Sequence, residues 1–112
     1  MQFDESQPIY LQVVLQIKKE IVTGRKKNGE KLKSGRELAL EYHINPNTAA
    51  RVYQTIEAEG VAFTKRGLGT FVTEDAAVNV SLRKELAADF IARFKKDMSE
   101  IGFTEEEMRT LI

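Results

Sequence analysis

This sequence predicts a mainly α-helical fold with a small β-hairpin wing, a winged helix-turn-helix followed by a C-terminal helical dimerisation tail. Three observations predict it. Two helix starts with strong capping chemistry, Ser34 to Glu37 and Asn45-Pro46, lie a few residues apart; an alternating hairpin with a basic, glycine-containing tip follows directly; and a long amphipathic stretch closes the chain.

The elements follow in order. Ser6-Gln7-Pro8 reads as a helix start with proline at the first helical position, where its missing N–H costs nothing, and Tyr10, Val14, Ile17 and Ile21 then repeat at helical spacing as far as Gly24. Arg25 to Lys31 is polar and without apolar periodicity, so it reads as a loop. Ser34 and Glu37 have the spacing of a capping box and open a short second helix through Leu38, Ala39 and Tyr42. Asn45 as N-cap and Pro46 at the first position open a third. On it Ala49, Val52 and Ile56 share an apolar face, while Asn47, Arg51, Gln54 and Thr55 share a hydrogen-bonding one. Gly60 ends that helix, Val61 to Lys65 alternates with strand period, and Arg66-Gly67-Leu68-Gly69 turns the chain into a second strand, Thr70 to Thr73. From Ser81 a helical stripe carries Leu82, Leu86, Phe90, Phe94, Met98 and Ile101, with Ile91 widening it and Gly102 ending it. Thr104 and Glu107 repeat the capping-box spacing ahead of a short last helix bearing Met108, Leu111 and Ile112. Two domains are expected, residues 1–73 as the winged helix-turn-helix and 74–112 as the tail.

Size and composition bound the function. A chain of 112 residues holds one ordinary domain and an appendage. It has no cysteine, which removes disulfides and thiolate metal sites. Met1 to Tyr10 carries Asp4 and Glu5 with no basic region before an apolar run, so no secretory signal is expected, and no apolar stretch approaches a membrane span. The expectation is a cytoplasmic protein with no membrane association. Net charge is zero, but residues 1–73 hold eleven basic against eight acidic side chains and residues 74–112 six against nine. A basic front and an acidic rear suit a phosphate-facing module joined to a part that stays off nucleic acid.

The chemistry falls at particular ends of these elements. The order helix, helix, turn, helix, hairpin places the third helix in a major groove. Arg36 and Asn47 sit in first turns, where helix ends attract phosphate. Arg51 can reach a guanine edge or a phosphate, and Asn47 or Gln54 an adenine. Thr48 serves either a phosphate or local capping. Lys65 and Arg66 suit a flanking groove or backbone, and Gly67 and Gly69 supply both turn geometry and close approach. Arg25, Lys26 and Lys27 read as a solvated loop. His43, the only histidine, has no ligand or triad partner and fits a tight turn. The acidic run Glu105 to Glu107 is explained by the helix macrodipole. No nucleophile, base and orienter set and no phosphate-binding glycine motif is present, so no catalysis, cofactor or metal is expected. The tail stripe is too apolar to stay exposed, and a second copy is its expected partner, through Leu82, Leu86, Phe90, Phe94 and Met98.

Four segments, Pro8-Ile9-Tyr10-Leu11-Gln12, Ser34-Gly35-Arg36-Glu37-Leu38-Ala39, Asn45-Pro46-Asn47-Thr48 with Arg51 and Tyr53, and Arg66-Gly67-Leu68-Gly69-Thr70-Phe71-Val72, together resemble the GntR family of bacterial regulators. The short tail resembles that family's YtrA-type branch. The resemblance implies a dimeric repressor, often of transporter operons, with DNA contacts on Arg36, Asn47, Thr48, Arg51, Arg66 and Gly67. Lys33 stands where the family usually has proline, Gly35 where it has a larger residue, and His43 where glycine is common before the third helix, a site whose left-handed geometry histidine tolerates.

The function expected is therefore a sequence-specific regulator of transcription binding double-stranded DNA as a homodimer, with any small-molecule effector left unnamed. A protein-interaction winged helix is the main alternative. An RNA-binding module is disfavoured because Tyr10, Tyr42, Phe63 and Phe71 are expected in the core rather than as stacking platforms.

Overall fold

The structure is a computed structural model describing residues 1–112, and it divides into two compact units, Met1–Leu82 and Arg83–Ile112. In the first unit α1 (Ile9–Val22) is preceded by Pro8 as N-cap, one residue earlier than its expected place inside the helix. Gln12 holds the lead-in segment, accepting from the Asp4 N–H at 2.9 Å and donating to the Asp4 carbonyl at 2.7 Å. Its buried residues are Val13, Val14, Ile17 and Ile21, one helical stripe.

Helix α2 (Gly35–Tyr42) opens on the expected capping box: the Glu37 N–H donates to Ser34 Oγ at 3.1 Å and the Ser34 N–H to Glu37 Oε1 at 2.9 Å. It ends at His43, whose φ of 54° and ψ of 48° make it the only non-glycine residue in the left-handed region. That reversal brings the chain to α3 (Pro46–Ala58), where Asn45 Oδ1 accepts the Asn47 N–H at 2.7 Å and Pro46 occupies the first turn. Helix α3 packs on both α1 and α2. Of the six largest fully buried side chains, Val13, Ile17 and Ile21 come from α1, Val52 and Ile56 from α3, and Val72 from the wing. Each contributes about 1.5–3 kcal/mol on burial, and α3 is held in the unit by its packing on both α1 and α2.

The wing is an antiparallel pair, β1 (Ala62–Lys65) and β2 (Gly69–Val72), with Lys65 opposite Gly69. The strand thus begins at Gly69 rather than Thr70. Its outer edge is covered by a segment read from sequence as loop: Leu32 N–H donates to the Thr70 carbonyl at 2.8 Å, Val72 N–H to Glu30 at 2.9 Å, and Lys31 pairs with Phe71. Leu32 is buried there. Pairing between residues some forty apart leaves no local signature, which is why polarity alone misread it.

Helix α4 (Ala76–Glu100) starts five residues before the expected Ser81, because Asp75 Oδ1 accepts the Ala77 N–H at 2.9 Å and caps it early. It begins in the first unit and continues in the second, which also holds α5 (Glu105–Leu111) with the expected Thr104–Glu107 capping box. Met108 is buried, whereas Leu111 and Ile112 are exposed. No helix is long and apolar enough to cross a membrane.

Candidate nucleic-acid interface

Helix α3 presents the two faces its sequence prescribes. Ala49, Val52 and Ile56 are completely buried, while Asn47, Arg51 and Gln54 are exposed. Thr48 is half-buried, and Thr55 is already spent, its hydroxyl donating to the Arg51 carbonyl at 2.7 Å. Arg51 is held in a way the sequence did not disclose. Its guanidinium lies 3.9 Å from the centroid of the Tyr10 ring on α1, and Nη2 donates to the Tyr10 hydroxyl at 3.2 Å.

The two helix N-termini differ from open anion sites. At α2 the Ser34 backbone N–H and then its hydroxyl hold the Glu37 carboxyl below its usual range, helped by Lys33 and Lys31, so a carboxylate occupies the turn that also bears Arg36. At α3 Pro46 has no N–H and the Asn47 N–H is capped, but no acidic side chain is present in the first turn. The side chains carried at these ends are Arg36 on α2 and Asn47 with Arg51 on α3, all exposed.

In the wing, Phe63 and Phe71 stack with centroids 5.8 Å apart, and the Lys65 ammonium sits over Phe71 at 5.1 Å and 3.9 Å from Glu74 Oε1. These aromatics and Tyr10 and Tyr42 are half-buried rather than core residues. Gly67, at φ 79° with open space where a side chain would stand, forms the exposed tip with Arg66. Some cations near these elements are paired, Lys65 with Glu74 among them, and others, including Arg25, Lys27 and Lys31, are exposed and form no salt bridge. Lys18, Lys26 and Lys33 are neutralised by Glu59, Glu20 and Glu41 at 2.9, 3.1 and 3.0 Å. Arg36, Arg51 and Arg66 are exposed and none forms a salt bridge.

Tyr53, named in the sequence only through its motif, is the buried aromatic of α3. Its hydroxyl donates to the Lys33 carbonyl, tying α3 to the entrance of α2, and burial raises its pKa far above the ordinary tyrosine value. Burial beside Glu20 and Glu41 pushes Tyr42 up to about 12.

The residues expected to meet a second copy are not equally available. Leu82 and Leu86 are only 3% and 8% exposed in the single chain. Phe90 and Ile91 are 48% and 54% exposed, and Phe94 and Met98 half-buried. Between α4 and α5 of the second unit, Phe90, Ile91, Phe94, Met108 and Ile112 line an apolar groove of about 350 Å³. The Lys95–Glu105 pair, 3.5 Å apart, also lines it. No group of three or more His, Cys, Asp or Glu side chains converges as a metal site requires.

Comparison with known proteins agrees with this geometry. The family model of bacterial regulatory proteins of the gntR family matches residues 9–72. The HTH-type transcriptional regulator YhcF of Bacillus subtilis is 42% identical over 107 residues, 96% of this chain and 88% of that protein. The HTH-type transcriptional repressor YtrA of Bacillus subtilis is 45% identical over 71 residues, 63% of this chain and 55% of that one. A solved GntR family transcriptional regulator from Listeria monocytogenes superposes with a TM-score of 0.87 at 38% identity, covering 97% of this chain and 96% of its own.

Proposed function

The chain belongs to the GntR family of bacterial regulatory proteins, a transcriptional regulator with a winged helix-turn-helix DNA-binding domain and no enzymatic role, and on that premise we propose that it is a cytoplasmic, dimeric repressor of a palindromic operator. The observation that carries the site is the arrangement on α3 and the wing: Asn47, Arg51 and Gln54 lie exposed on the face opposite the buried Ala49, Val52 and Ile56, and Arg66 with Gly67 forms the exposed hairpin tip. In this reading Arg51 takes a guanine edge, Asn47 an adenine edge or phosphate, and Arg36 and Thr48 phosphates. Lys65, Arg66 and Gly67 follow the flanking groove.

Dimerisation is carried by the exposed and half-buried part of the tail stripe. Phe90, Ile91, Phe94 and Met98 meet a second copy, and a two-fold dimer sets two α3 helices one DNA turn apart. Leu82 and Leu86 support the chain's own packing instead. Repression extends to this chain what the name of the YtrA relative states for that protein, and a transporter operon as target extends only what the family resemblance implies. The test is Arg51→Ala on a cognate palindrome and on random duplex. A loss of about 1–3 kcal/mol confined to the cognate site supports base reading, and an equal loss on both reduces Arg51 to a phosphate contact.

A further inference from the structure

A long arginine side chain at a protein surface samples many rotamers, and ordering it on binding reduces affinity. Arg51 is exposed and without a carboxylate partner, yet it is not free. The Tyr10 ring, 3.9 Å from the guanidinium carbon, covers one face, and the Tyr10 hydroxyl accepts one N–H at 3.2 Å. A guanidinium has five N–H donors in a rigid planar fork. One contact to Tyr10 therefore leaves four donors and the opposite face open, enough for a bidentate pair of acceptors. Tyr10 itself is half-buried in the first turn of α1, and α1 is the helix on which α3 packs, so the platform is fixed relative to the helix that bears Arg51.

We propose that Tyr10 is a positioning residue for DNA recognition: it pre-orders the Arg51 guanidinium over α1 so that α3 meets the groove with its arginine fork already aimed. This rests on the reading of Arg51 as a base contact. Tyr10 touches no base in this account; it acts through Arg51, and its effect is confined to the base pair that Arg51 reads. A phosphate contact, by contrast, is felt on every sequence and changes the salt slope.

Five proteins decide it: wild type, Tyr10→Leu, Tyr10→Phe, Arg51→Ala and the double variant Tyr10→Leu with Arg51→Ala, each measured by anisotropy on the full-length palindrome, on the palindrome with the Arg51 base pair changed, and on random duplex. Ordering one side chain corresponds to about two- to tenfold in affinity. Tyr10→Leu is expected to lose that factor on the palindrome only, with random binding and salt slope unchanged. Tyr10→Phe, which keeps the ring, restores most of it, and Tyr10→Leu adds nothing once Arg51 is alanine. A Tyr10→Leu protein that keeps wild-type preference, gains affinity, or weakens equally on all duplexes overturns the proposal. The same loss with Tyr10→Leu in the Arg51→Ala background as in the wild-type background does so as well. If Arg51→Ala alone leaves cognate preference intact, the base-reading assignment beneath it has failed instead. Should Tyr10→Leu unfold, the wild-type protein still answers without DNA: the Arg51 δ-methylene protons are expected well upfield under the Tyr10 ring, and random-coil shifts contradict the pre-ordering.

Discussion

A methyl group placed on Gly69 would stand 2.9 Å from Lys31 Cε, the closest approach any glycine of this chain makes to a side chain. The contact joins the covering segment to the wing, because Lys31 pairs with Phe71 on the outer edge of β2. Lysine ends are flexible, so the crowding alone is cheap; the φ of 120° at Gly69 is not. Gly69→Ala is therefore expected to cost about 1–3 kcal/mol in urea unfolding. Adding Lys31→Ala should recover little of that loss. Full recovery by Lys31→Ala would show that crowding, not backbone conformation, sets the cost.

His43 separates α2 from α3 in left-handed geometry. An L-residue there pays about 1–2 kcal/mol and glycine does not, although glycine loses about 0.5–1 kcal/mol more backbone entropy on folding. His43→Gly is expected to stabilise the protein by up to about 1 kcal/mol, and His43→Val to destabilise it. Denaturant midpoints measure both, and a destabilising glycine would contradict the account.

Glu37 gives a pH signature with a definite sign. Its carboxyl is held below 4.5 first by the Ser34 N–H, so its stabilising contribution is present above 4.5 and is lost as pH falls through the lowered native value. Ser34→Ala is expected to cost about 1 kcal/mol at neutral pH. That variant keeps the backbone N–H at position 34, the larger cause, and loses only the hydroxyl, so the Glu37 carboxyl rises only part of the way toward its ordinary value and the stability gap to wild type narrows slightly in acid. A side-chain carboxyl titration by NMR, with melting curves at several pH values, checks this; a gap that widens in acid is the wrong sign.

Exposure sorts the tail positions into two kinds. Phe90→Glu, on a ring 48% exposed, is expected to give folded monomers by sedimentation velocity. Leu86→Ala, at a position only 8% exposed, is expected to lower melting stability by about 2–5 kcal/mol without targeting association. A Phe90→Glu protein that remains dimeric places the interface elsewhere.

Local chemistry was legible in the sequence and distant pairing was not. The Ser34–Glu37 and Thr104–Glu107 boxes and the Asn45 cap appear as read, because each closes within three residues. The α3 faces follow from helical spacing alone. The strand-like segment at Lys31, the Arg51 contact with Tyr10 and the Tyr53 bond to Lys33 join residues twenty to forty-one apart, and no spacing rule reaches that far. The stripe from Leu82 to Met98 was correct as a helix face, but which part of it lies buried in the single chain depends on packing that periodicity does not encode. Of the proposed DNA contacts, residue type and position on the element were readable; that Arg36, Arg51 and Arg66 escape the salt bridges that neutralise Lys18, Lys26 and Lys33 was not.

The central claim is that this chain reads a palindromic duplex as a dimer through α3 and its wing. Fluorescence anisotropy on a palindrome from its own promoter region, against a scrambled duplex across a salt series, tests it most directly. The account predicts two protomers per palindrome, a clear preference over scrambled DNA, and affinity that falls steeply with salt, by close to one unit of log–log slope for each phosphate contacted. Binding to neither duplex, or equal binding to both with no salt dependence, would contradict it and favour a winged helix that recognises protein.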